Sequence, residues 1–125
     1  MNISSTQFYS LQTGQILDEL ANFDEFGSIF DLEPQINSFY DTARLISGLD
    51  LIITVETALA HLAGAMGKPV LILLATCADW RWQSKAENID NNLWYQSARL
   101  FRQLSPGEWS DPLHDVETHI RDLIL

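Results

Sequence analysis

The sequence predicts an α/β fold: a three-layer α/β/α sandwich around a Rossmann-like, mostly parallel sheet of five strands. Three observations predict it. Short apolar runs alternate along the chain with segments of helical period, an order that favours parallel pairing through crossover connections. Two runs, Leu51-Ile52-Ile53-Thr54-Val55 and Val70-Leu71-Ile72-Leu73-Leu74, are continuously apolar or β-branched, as strands buried on both faces should be. Between them, residues 57–66 are Ala-rich and uncharged and stop at Gly67, with Pro69 just beyond, which is the signature of a helix and its end.

The other elements follow in order. Phe8-Tyr9-Ser10-Leu11 is the first strand, punctuated by Gln12-Thr13-Gly14. Ile16, Leu17, Leu20, Ala21 and Phe23 recur at a period near 3.6 and predict a short amphipathic helix. Residues 28–32 form a second strand, closed by Glu33-Pro34. Phe39, Ala43, Leu45, Ile46 and Leu49 mark the next helix, with Ser38 or Asn37 to cap it. The strands 51–55 and 70–74 are expected at the centre of the sheet. A polar loop with aromatics runs to about residue 93, residues 99–103 form the last strand, and residues 114–125 read as a terminal helix through Val116, Ile120, Leu123 and Ile124.

The chain has 125 residues, 46% of them hydrophobic, so a single domain over residues 1–125 is expected, with enough core to fold without a disulfide or a metal. Seven Lys+Arg against 17 Asp+Glu give a net charge of −10. That balance argues against nucleic acid and against an anionic membrane surface, both of which require clustered basic side chains. Cys77 is the only cysteine, which excludes an intrachain disulfide and fits a reducing compartment. The first residues lack the basic and apolar regions of a signal peptide, and no run approaches the roughly 18 apolar residues of a membrane helix. A cytoplasmic location and no membrane partner are therefore expected.

The sharpest chemical feature is Val55-Glu56-Thr57-Ala58-Leu59-Ala60-His61. It sets the start of a small-residue helix directly after a buried strand, where open α/β sheets gather their ligands. A helix N-terminus offers unpaired N–H groups and about half a positive charge to an anion. Thr57 can cap the helix, at about 1 kcal/mol, or hand its hydroxyl to a phosphate. Ala58 and Leu59 would present backbone amides only. Most such turns bind nothing, so the local pattern by itself favours a turn that serves stability alone, and His61 reads as a buried histidine bonded to a backbone carbonyl. A second cluster, Asp79-Trp80-Arg81-Trp82 with Trp94-Tyr95, Arg99, Arg102 and Trp109, can grip an anion or pin a long loop. Arg81 is balanced between those roles, and the tryptophans are expected to pack. Cys77 is expected to be small and buried. No Walker motif, Gly-x-Gly-x-x-Gly, nucleophile elbow or metal-ligand spacing is present, so neither metal nor organic cofactor is expected.

From Leu51 to Val70 the sequence resembles the C-terminal, nucleotide-sugar-binding half of GT-B glycosyltransferases of the heptosyltransferase type. It is most similar in pattern to the glycosyltransferase-like domain that follows tetratricopeptide repeats in bacterial proteins. Phe8-Tyr9-Ser10-Leu11-Gln12, Asp41-Thr42-Ala43, Asp79-Trp80-Arg81-Trp82, Trp94-Tyr95 and Arg99-Leu100-Phe101-Arg102-Gln103 extend the resemblance along nearly the whole chain. It implies a nucleotide-sugar donor whose diphosphate lies at Thr57, Ala58 and Leu59, with Glu56 in place of the family's usual Asp and His61 close behind; in the intact enzyme Arg81 is expected to assist at the leaving diphosphate. It also implies a further mid-sheet strand upstream of Phe8 and an N-terminal half carrying the acceptor site and the catalytic carboxylate. Without these, the expected strand order is 2-1-3-4-5, with residues 8–11 paired to residues 51–55, and the isolated chain is expected to bind donor without catalysing transfer. The partners expected are the nucleotide-sugar and the missing catalytic half or a repeat domain. The alternative is a non-catalytic interaction module, for which a second copy of the chain is the simplest partner.

Overall fold

In the computed structural model, which describes residues 3, 5–14, 29–78, 82 and 94–125, strands and helices alternate as the apolar periodicity requires. The described elements are β1 (Phe8–Ser10), β2 (Ile29–Asp31), a 3₁₀ turn (Glu33–Gln35), α1 (Phe39–Ser47), β3 (Ile52–Val55), α2 (Ala58–Ala65), β4 (Val70–Leu74), β5 (Ala98–Arg102) and α3 (Ser110–Ile124). Every strand pairing among them is parallel, so the expected α/β class is the one found. The helix expected around Ile16 to Phe23 lies outside the described residues, as do Asp79, Trp80 and Arg81.

The chain divides into two units, Met1–Leu45 and Ile46–Leu125. In the first, β1 and β2 form a two-stranded ladder from Phe8↔Ile29 to Ser10↔Asp31. Glu33 ties the loop after β1, its carboxylate accepting from the Gly14 amide at 2.9 Å. Gly14 has φ +104°, a left-handed conformation that a side chain would strain. Ser38 caps α1: its hydroxyl accepts from the Asp41 amide at 3.3 Å, while the Asp41 carboxylate accepts from the Asn37 amide at 2.9 Å. One amide that α-helical geometry leaves unpaired, that of Asp41, is thus satisfied by a side chain, and the Asp41 carboxylate holds the chain entering the helix.

In the second unit, β4 stands between β3 and β5. Val70, Leu71, Ile72 and Leu74 are all buried, each worth roughly 1.5–3 kcal/mol relative to exposure. α2 packs on β3 and β4, and α3 on β5 and β4. Ala60 and Ala63 bring α2 onto the sheet, while Val116 and Ile120 do the same for α3. α2 ends as the Gly-Pro signal requires. Gly67 takes φ +71°, its amide donates to Gly64 O at 3.0 Å, and the Lys68 amide donates to Ala63 O at 3.0 Å, which together make a Schellman cap. The Lys68 ammonium then donates to Ser47 O and Leu49 O, at 2.9 and 2.7 Å, placing a cation on the carbonyls that end α1.

Three expectations change. Of the predicted order 2-1-3-4-5, the neighbours 2-1 and 3-4-5 are present as separate ladders, and the 1–3 pairing is not found among the described residues. β1 is only three residues long with Tyr9 exposed, unlike a strand at the centre of a sheet. β3 is likewise not central. Among the described residues it stands at an edge of the three-stranded ladder, beside β4, and burial falls from Ile52, which is buried, to Val55, which is exposed. Finally, α3 starts at Ser110 rather than at His114. Pro112 is tolerated there because a first-turn residue needs no backbone N–H.

Candidate functional site

The carboxyl edge of the three-stranded sheet is where α2 begins. The chain leaves β3 through a tight turn closed by the Thr57 amide on Val55 O, at 2.8 Å, and the Ala60 amide donates to Thr57 O at 3.0 Å. Glu56, Thr57 and Ala58 are exposed. Thr57 occupies the capping position in an extended conformation, φ −129°, ψ 175°, yet its side chain makes no capping hydrogen bond. Its hydroxyl instead meets the Thr54 hydroxyl at 3.2 Å, and Thr54 donates to Val55 O at 3.0 Å. The Thr54 proton is committed to that carbonyl, so Thr57 supplies the proton between the two hydroxyls. Among the described residues, no side chain caps the Ala58 and Leu59 amides at this edge. The expectation that Thr57 caps α2 is therefore corrected: its hydroxyl turns back toward the strand.

One turn into α2, His61 sits in an aromatic cluster. Its Nδ1 lies 2.9 Å from the Tyr95 hydroxyl. Its ring stacks on Trp82, with centroids 5.1 Å apart and planes at 28°, and meets Tyr95 edge-on at 5.8 Å. The bond expected from His61 to a backbone carbonyl is thus a side-chain bond to a tyrosine, made to a half-buried ring. Trp82 is only 2% exposed, as its expected packing role requires, whereas Trp94 is 54% exposed. Gly64 makes the cluster feasible. A Cβ there would fall within 2.8 Å of three Tyr95 ring carbons, so the absence of a side chain at 64 is what admits the ring.

A cation completes the edge. Arg102 ends β5, one register step beyond the rank Val55–Leu73–Phe101, and its Nη2 donates to Trp82 O at 3.3 Å. Burial lowers its guanidinium from the ordinary value, and the Glu56 carboxylate acts in the opposite direction. Both signs of charge therefore stand within electrostatic reach at the mouth of the α2 turn. Arg102 lies in the Arg99-to-Gln103 segment noticed in the sequence, but only strand pairing brings it to this edge. Arg81, the cation expected here, lies outside the described residues. Cys77, expected to be buried, is exposed, because it follows the end of β4 instead of lying within it. Among the described residues no group of three or more His, Cys, Asp or Glu side chains is placed to hold a metal, and no helix is long and apolar enough to cross a membrane.

Parallel strands with a helix starting at their carboxyl edge define an open-sheet α/β domain, a class whose ligands gather at that edge. The model of glycosyltransferase family 9 (heptosyltransferase) matches residues 14–106, most of the chain and all of this edge. The chain belongs to that family. It is also similar to protein FlbA of Caulobacter vibrioides, with 29% identity over 122 residues that cover 92% of this chain and 19% of that protein. The chain thus spans about a fifth of the length of this curated relative. No solved structure matches.

Proposed function

We propose that the chain binds the diphosphate of a nucleotide-sugar donor at the start of α2. The observation that carries this reading is the helix N-terminus itself: Thr57 stands in the capping position without capping, which leaves the Ala58 and Leu59 amides to an anion. Backbone amides and the helix dipole attract a phosphorylated ligand without surface basic charge, which reconciles such a ligand with a chain of net charge −10. Thr57 contributes its hydroxyl by turning from Thr54 to a phosphate oxygen. Arg102 takes the cationic part of the site beside Glu56, and Arg81 remains the assisting cation expected from its place in the sequence.

In a glycosyl transfer the bond from sugar to diphosphate breaks, and negative charge grows on the leaving phosphate. Donors already aimed at that position stabilise the developing charge. We place this domain as the donor half of a longer, cytoplasmic enzyme, following tetratricopeptide repeats as the resemblance implies. The acceptor site and the catalytic carboxylate belong to the other half, and this chain alone turns over no sugar. Support comes from the family membership and from the greater length of FlbA.

Titration with UDP, GDP and ADP, followed by backbone amide NMR, tests the site. Shifts concentrated at Thr57, Ala58 and Leu59 are expected. No shift there at millimolar nucleotide overturns the reading for this chain. A second reading, an interaction module, draws on Phe39 and Tyr40, which are 70% and 72% exposed at the start of α1. Sedimentation showing concentration-dependent association that Phe39→Ser abolishes would favour it.

A further inference from the structure

We infer that Tyr95 is a positioning residue for the donor site, holding the His61 ring so that its Nε2–H points the proton toward the diphosphate. The inference rests on the α2 site proposed above and goes beyond it, because Tyr95 contributes no contact to the ligand itself. Three constraints converge on the imidazole. Trp82 covers one face at 5.1 Å, Tyr95 closes the edge at 5.8 Å, and the Tyr95 hydroxyl lies 2.9 Å from Nδ1. Trp82 and Tyr95 also lie against each other, with centroids 6.4 Å apart. Tyr95 can take that place only because residue 64 has no Cβ. The Trp82 carbonyl in turn accepts from Arg102, so one aromatic cluster ties both the imidazole and the cation to the same edge.

The chemistry selects the tautomer. Side chains on an α-helix lean toward its N-terminus, so the ring of His61 covers the turn that precedes it, where Thr57 and Ala58 lie. A phosphate oxygen there accepts hydrogen bonds only. A neutral imidazole meets it productively with the proton on Nε2, and with the proton on Nδ1 it would present a lone pair to an anion. A phenol is the better donor and an imidazole nitrogen the better acceptor, so the Tyr95 hydroxyl donates to Nδ1 and the ring proton stays on Nε2. Distant side chains that orient a ligand-binding histidine through its second nitrogen act in this way at metal sites, and the same logic applies to an anion.

Tyr95→Phe in the full chain keeps the ring and removes the hydroxyl. Two measurements read it. Side-chain nitrogen NMR of His61 in the wild type, without ligand, is expected to show the proton on Nε2, and the variant is expected to show a mixture of tautomers. Binding of inorganic pyrophosphate, followed at the Thr57, Ala58 and Leu59 amides, is expected to weaken about tenfold in the variant, the worth of one oriented hydrogen bond to a charged group. Gly64→Ala, which must displace the Tyr95 ring, is expected to weaken it similarly. A wild-type proton on Nδ1, or wild-type affinity in Tyr95→Phe, overturns the inference. A wild type whose α2 amides respond to neither pyrophosphate nor nucleotide overturns the donor site itself, and the ligand-free tautomer measurement keeps the two failures apart.

Discussion

The starts of α1 and α2 solve the same problem in opposite ways. α1 opens on Ser38, whose hydroxyl takes the Asp41 amide, while Asp41 takes the Asn37 amide. α2 opens on Thr57, also a favoured capping residue, whose hydroxyl faces Thr54 and leaves the helix start without its cap. A closed start contributes stability locally. An open one forgoes that contribution and must be held by packing further along, which α2 obtains from Ala60, Ala63 and Gly64 against the sheet and the aromatic cluster. The difference teaches that capping sequence alone does not reveal whether a helix N-terminus is available. The hydroxyl of a Ser or Thr has more than one partner to choose from.

If packing rather than capping holds α2, the largest effect should come from the cluster. Trp82→Ala removes a 2%-exposed indole and is expected to destabilise the chain by about 3–5 kcal/mol, read as a lower midpoint in urea unfolding. A loss near zero would break the comparison. Gly64→Ala sets a Cβ into the Tyr95 ring and is expected to cost about 1–3 kcal/mol in the same measurement.

The caps themselves sharpen the contrast. Ser38→Ala is expected to cost about 1 kcal/mol. Thr57→Ala loses only an exposed hydroxyl pair, and a stability change of less than about 0.5 kcal/mol is expected, together with weaker nucleotide binding. Equal losses from the two substitutions would mean that Thr57 caps after all.

The smallest effect concerns α3, where the residue before the capping position takes the first helical amide. Glu108 accepts from the Ser110 amide at 3.1 Å and also from its hydroxyl. The hydroxyl bond first, then the amide bond, holds the Glu108 carboxyl below its ordinary value of 4.5. A group lowered on folding contributes its stability above the ordinary value, and loses it as pH falls through the lowered, folded value. Glu108→Gln should therefore flatten the acid limb of the stability profile slightly while leaving its shape above pH 5 unchanged, as followed by thermal unfolding across pH.

Much of this was legible residue by residue. The apolar run 70–74 became the buried middle strand, Gly67 and Pro69 ended α2, and Ser38 was already a candidate cap. These signals are local: burial on both faces, a left-handed glycine and a side-chain cap depend on neighbours within a few positions. The tight turn at Val55-Glu56-Thr57 was visible for the same reason, and so was membership of the glycosyltransferase family, which the match to family 9 supports. Thr57 shows the limit of such reasoning. Its type fits a cap and its partner is Thr54, because a hydroxyl follows the nearest acceptor geometry and not a propensity.

By itself, then, the sequence determined the α/β class, the parallel neighbours 2-1 and 3-4-5 and the end of α2, and it singled out residues 55–61 as the candidate site. Only the tertiary structure decided what furnishes that site. Tyr95 lies 34 residues from the histidine it bonds, Arg102 reaches the edge through strand register, and Gly64 is small because of a ring from a distant segment, not because of its own helix. No local period encodes such pairings. They form when separately ordered elements pack, and the packing then settles which way a hydroxyl turns and which atom of an imidazole meets its partner.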